Sequence, residues 1–185
     1  SLDFGFMDNR ISGSLAYFER ESIDLIYNKP LPGSTGNTGI TTNVGSIKNS
    51  GIEFELNTIN IETDMFKWST NLNITTTTNE ITELTQESFI NGTKRWEVGT
   101  SLYEFFLREY AGVDSSNGKA LWFKDILDAE GEETGEKTTT DVYADATRYL
   151  TGKESLPDFQ GGITNTFIYG DFDLNVLMNF SVGAY

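Results

Sequence analysis

Phe172, Leu174, Val176, Met178, Phe180 and Val182 fall two residues apart, with Asp173, Asn175, Leu177, Asn179 and Ser181 between them. Successive side chains of a strand point to opposite faces, so this run is a β-strand with one nearly continuous apolar face. A strand of roughly 9 to 11 residues is what crosses a bilayer inside an outer-membrane-type barrel. The preceding run is its partner. Ile163, Asn165, Phe167 and Tyr169 form one set, and Gly170-Asp171 supplies the turn of a hairpin.

The same alternation recurs upstream. Leu2, Phe4 and Phe6 share a face, Asp8-Asn9 offers turn chemistry, and Ile11, Gly13, Leu15 and Tyr17 oppose Ser12, Ser14, Ala16 and Arg20, with Phe18 an exception. From Gly51, Ile52, Phe54, Leu56 and Thr58 oppose Glu53, Glu55 and Asn57, and Gly45 and Gly51 permit a bend or close backbone approach. After the turn at 62–65, Trp68, Thr70, Leu72 and Ile74 oppose Ser69, Asn71, Asn73 and Thr75. The reading is an all-β chain of antiparallel hairpins over 2–20, 51–77 and 162–183.

The connections alternate in length. Turns at 8–9, 62–65 and 170–171 are short, whereas 22–42 and 78–160 are long. Tight turns at one end and extended loops at the other are the habit of outer-membrane barrels. Pro30, Pro32, Gly33, Gly36 and Gly39 mark 22–42 as loop, with Ile23, Leu25 and Ile26 as a prolongation of the preceding strand. Between 78 and 160 no regular period persists. Eight acids against the single Lys137 make 125–145 a mutually repelling, solvated stretch, while Trp96, Tyr103, Phe105, Phe106, Tyr110, Trp122 and Phe123 suggest packing, with a short helix near Leu102 to Tyr110.

Missing residue types exclude whole chemistries. Without cysteine there are no disulfides or thiolate metal sites, and without histidine there is no Ser-His-Asp or Cys-His catalysis. A net charge of −15 opposes binding to nucleic acid or other polyanions. No apolar run of 18 residues marks a membrane helix, and no signal peptide is recognisable. The pattern is cut at Ser1 and Tyr185, so the chain is expected to be an excerpt from a longer protein.

The runs NVGSIKNSGIEFEL at 43–56, FKWSTNLNITTTTNEI at 66–81, GVDSSNGKALWF at 112–123 and PDFQGGITNTFIYGDFDLNVLMNFSVG at 157–183 resemble the late barrel strands of the SusC/RagA family of TonB-dependent outer-membrane transporters. That resemblance implies a transmembrane β-barrel of about 22 strands with a plugged lumen. It also implies a cell outer-membrane location, a long extracellular loop at about 78–160, a SusD-like surface lipoprotein and TonB as partners, and import of glycans or peptides. No cofactor, metal or catalytic residue is implied.

Three aromatic residues of the long loop, Trp96, Tyr103 and Trp122, are candidate ligand contacts, because an aromatic face suits the apolar face of a sugar ring. Packing within the loop accounts for them as well. Glu53 and Glu55 share a strand face about 7 Å apart, a spacing a glycosidase pair could use, but the preferred reading is a polar, water-lined barrel wall. Asp114 to Gly118 reads as a turn or as a calcium loop lacking the alternating acids. A secreted carbohydrate-binding β-sandwich and a β-structured glycosidase remain alternatives. Uncovered, five large apolar residues on the last strand forgo on the order of 10 kcal/mol. Outside a membrane that face is expected to pack on itself, on the 78–160 segment or on another copy.

Overall fold

The computed structural model describes residues 1–30, 34, 36 and 39–185. In chain order the strands are β1 (Leu2–Phe6), β2 (Ile11–Ser22), β3 (Ile26–Pro30), β4 (Gly39–Asn43), β5 (Gly45–Glu62), β6 (Phe66–Leu84), β7 (Phe89–Asn91) and β8 (Lys94–Trp96). They continue with β9 (Glu104–Arg108), β10 (Tyr110–Val113), β11 (Ala120–Leu127), β12 (Glu133–Thr140), β13 (Arg148–Glu154), β14 (Phe159–Tyr169) and β15 (Phe172–Val182), and a 3-10 turn occupies Tyr143–Asp145. One six-stranded sheet, ordered β1-β2-β5-β6-β14-β15, carries the molecule, and every pairing in it is antiparallel.

Register places the alternating sets in continuous rows, because residues directly opposite in an antiparallel pair share a face. Met178 lies opposite Ile163, Ile163 opposite Leu72, Leu72 opposite Leu56, Leu56 opposite Gly13 and Gly13 opposite Phe4. Two residues further on, Phe180, Gly161, Ile74, Phe54, Leu15 and Leu2 form the next row. The opposite face runs Asn179, Gly162, Asn73, Glu55, Ser14 and Asp3.

Three cross-strand pairs set an aromatic ring over a glycine: Phe4 over Gly13, Phe18 over Gly51 and Phe180 over Gly161. Phe18 breaks the polar set of β2 because its ring fills the place of the side chain that Gly51 lacks. A Cβ on Gly161 would lie 2.0 Å from the Asn73 carbonyl oxygen and 2.8 Å from the Phe180 ring. Gly161→Val is therefore expected to lose about 1–3 kcal/mol through overpacking that the backbone of β6 cannot relieve. Chemical denaturation of the two proteins measures it.

The turns between β1 and β2, β5 and β6, and β14 and β15 all fall at one end of the sheet, and the long connections fall at the other. At the short-turn end Met7, Asp8 and Asn9 are all left-handed, with φ of 55, 56 and 63°. Arg10 fastens this rim by donating from Nη2 to the carbonyls of Ile59 (3.2 Å) and Asn60 (3.3 Å).

Several expectations need correction. β2 stops at Ser22, where Asp24 turns left-handed (φ 54°), so Ile23 and Leu25 do not prolong it. The stretch read as loop over 22–42 contains the hairpin β3–β4; Pro32 and Gly33 lie outside the described residues. β5 and β6 reach well past 51–77. Above Thr75 β14 no longer covers β6, and the segment 97–102 takes over, with Ile81 N–H donating to Thr100 O (2.8 Å) and Gly99 N–H to Ile81 O (2.9 Å). Where a helix was expected near Leu102 to Tyr110, Glu104–Arg108 is a strand paired with β13.

The segment 78–160 does not cover the apolar face. Phe172 is 80% exposed and Leu174 59%. The segment leaves the sheet at the long-loop end and folds on itself and on the upper part of β5–β6, where Val44, Ile81, Phe89 and Phe106 form the small buried core. An uncovered apolar sheet face also removes the β-sandwich alternative, which needs a second sheet packed on it.

Candidate functional site

The functional geometry of this chain is the contrast between the two faces of the sheet, together with the folded segment above them. On the apolar face the rows run from Tyr169, with Phe66 and Phe172 opposite, to Phe159, with Val182 opposite. These eleven residues of β14 span about 33 Å along the strand. A tilt of about 40° reduces that to about 25 Å, the height of the apolar band on an outer-membrane barrel. Aromatics crowd the short-turn edge, where Trp68 and Phe167 stack with centroids 5.7 Å apart.

The opposite face is a hydrogen-bonded lattice of amides and hydroxyls. Asn71 Nδ2 donates to Asn57 Oδ1 (2.7 Å) and to Glu55 Oε1 (3.3 Å), and Asn57 Nδ2 donates to the same carboxylate oxygen (3.1 Å). Gly162 N–H donates to Asn73 Oδ1 (3.1 Å), and Thr166 Oγ1 to Asn175 Oδ1 (2.7 Å). An open cleft of about 510 Å³ on this wall is lined by Asn73, Thr75, Gln160, Asn179 and Ser181. The pair Glu53 and Glu55 belongs to this surface. Glu55 is engaged by two amides, while Glu53 stands opposite Ala16 and Thr75.

The three candidate ligand contacts do not form one cluster. Trp96 is half-buried on β8, donates its indole N–H to Leu102 O (3.3 Å) and walls a largely apolar cavity of about 190 Å³ with Leu25, Val44, Ile47, Ile81 and Leu102. Tyr103 is 39% exposed nearby, its carbonyl accepting from Ser155 N–H (3.3 Å) and from Lys94 Nζ. Trp122 stands on another sheet. In β10–β11–β12 it lies opposite both Tyr110 and Thr140, and Tyr143 meets it edge-on at 5.2 Å. Tyr110 is 57% and Tyr143 53% exposed, so three aromatics gather on one surface. Alternation does not single out Tyr143. Its position depends on the register that sets Thr140 against Trp122.

Cations over rings hold this segment in place of a large apolar core. Arg108 lies 4.5 Å from the Tyr143 centroid while its Nε donates to Ala146 O (3.1 Å). Arg148 lies 4.8 Å from Phe106, and Lys137 3.9 Å from Tyr149. Each such contact contributes about 0.5–1 kcal/mol at exposed sites. Lys94 sits 3.4 Å from the Phe105 centroid, where burial lowers its pKa against the opposing fields of Glu154 and Glu104. Burial, then the hydrogen bond to Asp125 (2.6 Å), pushes the Tyr149 phenol up to about 12. Its folded pKa is raised, so this contribution to stability is complete below about pH 10 and fades as pH climbs toward 12.

At 114–118 the turn reading accounts for the carboxylate. Asp114 Oδ1 accepts from Ser116 N–H (2.8 Å) and Oγ (2.7 Å), and Oδ2 from Asn117 Nδ2 (2.7 Å). Those donors, Ser116 first, hold the Asp114 pKa below the usual carboxylate value.

Comparison with known proteins adds an independent finding. Residues 1–182 match the family model described as TonB dependent receptor-like, beta-barrel. TonB-dependent receptor P3 of Formosa agariphila is 30% identical over 99% of this chain and 20% of its own length. TonB-dependent receptor SusC of Bacteroides thetaiotaomicron is 30% identical over 100% of this chain and 19% of its own. The chain thus spans about a fifth of the length of these curated relatives. Among solved structures, the RagAB peptide importer in its closed-closed state superposes with a TM-score of 0.82 at 27% identity, over 98% of this chain and 20% of the other.

Proposed function

The chain belongs to the TonB-dependent receptor-like β-barrel family, and from that premise we propose that it forms six neighbouring strands in the wall of a SusC/RagA-type nutrient importer of the outer membrane. The observation that carries this reading is the two-faced sheet. Its apolar rows match a membrane band in height, its other face is an amide and hydroxyl lattice suited to a water-filled or plugged lumen, and its short turns share one end. In this reading the short turns face the periplasm and 78–160 is an extracellular loop. TonB supplies energy to the whole protein, and a SusD-like surface lipoprotein shares capture of the cargo. Glu53 and Glu55 serve as wall, not as a hydrolytic pair.

The cargo is a glycan or an oligopeptide. An oligopeptide is supported by likeness to a structure described as a peptide importer, and a glycan by the exposed aromatics of the loop. Of the candidate contacts, Tyr103 is exposed and Trp122 is half-buried beside the exposed Tyr110 and Tyr143, while Trp96 supports the loop from within. Uptake by cells carrying the whole protein, offered a panel of neutral oligosaccharides and oligopeptides, tests the reading. Import that vanishes without TonB supports it, and import independent of TonB contradicts it. For the cargo that is taken up, Trp122→Ala is expected to weaken binding about tenfold by calorimetry, the loss typical of a central aromatic contact.

A further inference from the structure

β12 is the outer strand of the sheet β10-β11-β12 and pairs with β11 alone. Phe123 of β11 turns both of its backbone groups away from β12, its N–H donating to Glu109 O (3.0 Å) and its carbonyl accepting from Thr147 N–H (3.2 Å). Bonded and non-bonded pairs alternate along an antiparallel ladder. Thr139 and Lys137, which lie opposite Phe123 and Asp125, therefore aim their N–H and C=O groups at the outer edge. No hydrogen bond to those four groups is present among the described residues.

An open edge of this kind is normally blunted by a lysine or a proline. Glu133–Thr140 has no proline, and its single lysine is tied to one face of the sheet, with Lys137 Nζ 3.9 Å from the Tyr149 centroid and 3.3 Å from Glu109 Oε2. Every residue of β12 except Thr140 is exposed. Two N–H and two C=O groups repeating at every second residue are the complement of another extended peptide. Charge selects which peptide. Glu130, Glu132, Glu133 and Glu136 crowd the hairpin end of this edge, exposed, and among the described residues none of them is ion-paired with a lysine or arginine. An acidic strand is repelled there and a basic one is drawn in.

We propose that the outer edge of β12 takes an extended, lysine- or arginine-bearing segment of an oligopeptide cargo as an added antiparallel strand. Two residues of the cargo exchange N–H···O bonds with Thr139 and Lys137. The cargo residue opposite Thr140 continues the row of Tyr110, Trp122 and Thr140, beside the ring of Tyr143, and basic residues further along meet Glu136 and Glu133. The site rests on the reading of 78–160 as the extracellular loop of a nutrient importer, and it narrows the cargo to basic peptides.

The test uses the whole protein in detergent micelles with three probes: a short peptide of alternating lysine and threonine, the same peptide N-methylated at every amide, and its glutamate and threonine counterpart. The amides of Lys137 and Thr139 are expected to exchange hydrogen rapidly in the free protein and about tenfold or more slowly with the lysine peptide bound. By calorimetry N-methylation is expected to weaken binding about tenfold or more, the worth of two net hydrogen bonds. The glutamate peptide is expected to bind about tenfold or more weakly still than the lysine peptide, with the gap closing as salt is raised. Thr139→Pro deletes one outward donor without touching the ladder to β11 and is expected to weaken binding about 3- to 10-fold, and the peptide comparison stands without that variant. Slow exchange of both amides before peptide is added, or slowing by a SusD-like lipoprotein alone, means that another part of the assembly covers the edge and overturns the site. Equal binding of the N-methylated or the glutamate peptide overturns it as well, and leaves the importer reading intact. Uptake independent of TonB overturns the importer reading and the site together.

Discussion

Met178→Arg in the membrane-inserted barrel is expected to cost about 2–4 kcal/mol, whereas Asn179→Arg, one residue on, changes stability by less than about 0.5 kcal/mol. Met178 occupies the row with Ile163, Leu72 and Leu56, close to the middle of the apolar band. A guanidinium there must leave water for hydrocarbon or thin the bilayer to escape it. Asn179 points to the face of the Asn73 and Gln160 cleft, where a charge remains hydrated. Reversible unfolding from phospholipid vesicles in denaturant measures both. Neighbouring positions on one strand then separate by a factor of about 10 or more in the folding constant.

Ile81→Ala is the second large effect, about 2–5 kcal/mol, and it is local. Ile81 is 1% exposed, the most deeply buried large side chain among the described residues. Its backbone exchanges hydrogen bonds with Gly99 and Thr100, and the neighbouring Asn79 accepts from Leu102 N–H at 2.9 Å. Truncation leaves a cavity beside the one of about 190 Å³ already lined by Ile47, Trp96 and Leu102. Hydrogen exchange is expected to quicken across 97–102 and the upper part of β6, with little change over 163–182. Uniform acceleration through the sheet would show that the loop and the wall unfold as one unit.

The wall was legible because a strand with unlike faces writes its fold every two residues. That Met178, Ile163, Leu72 and Leu56 each belong to the apolar side of their strands could be read without coordinates, whereas setting Leu72 opposite Leu56 depends on a bulge between Ile59 and Ile61. The signal failed where the environment changed. Ile81 points to the same side as Asn79 and Asn49, opposite to the apolar set of lower β6, because the 97–102 segment covers it there. Alternation that switches face reads as no alternation. Phe105, Phe106 and Leu107 looked helical because they are consecutive, but their strand is defined by Tyr149 and Leu150, more than forty residues away. Pairing at that distance leaves no local mark. The same limit explains the aromatic surface. Trp122 was visible as a residue type, but Tyr143 joins it only through a register that no short window contains.

The central claim is that one face of β15 meets lipid and the other meets water. Cysteine is absent from the chain, so single cysteines at each position from 172 to 182, in a whole protein whose other cysteines have been replaced, can each carry one fluorophore. In the whole protein in vesicles, a quencher dissolved in the acyl chains should act most on labels at 174, 176, 178 and 180. A water-soluble quencher should act most on those at 173, 175, 177 and 179. Profiles without a two-residue period, or with the two sets exchanged, would contradict the account.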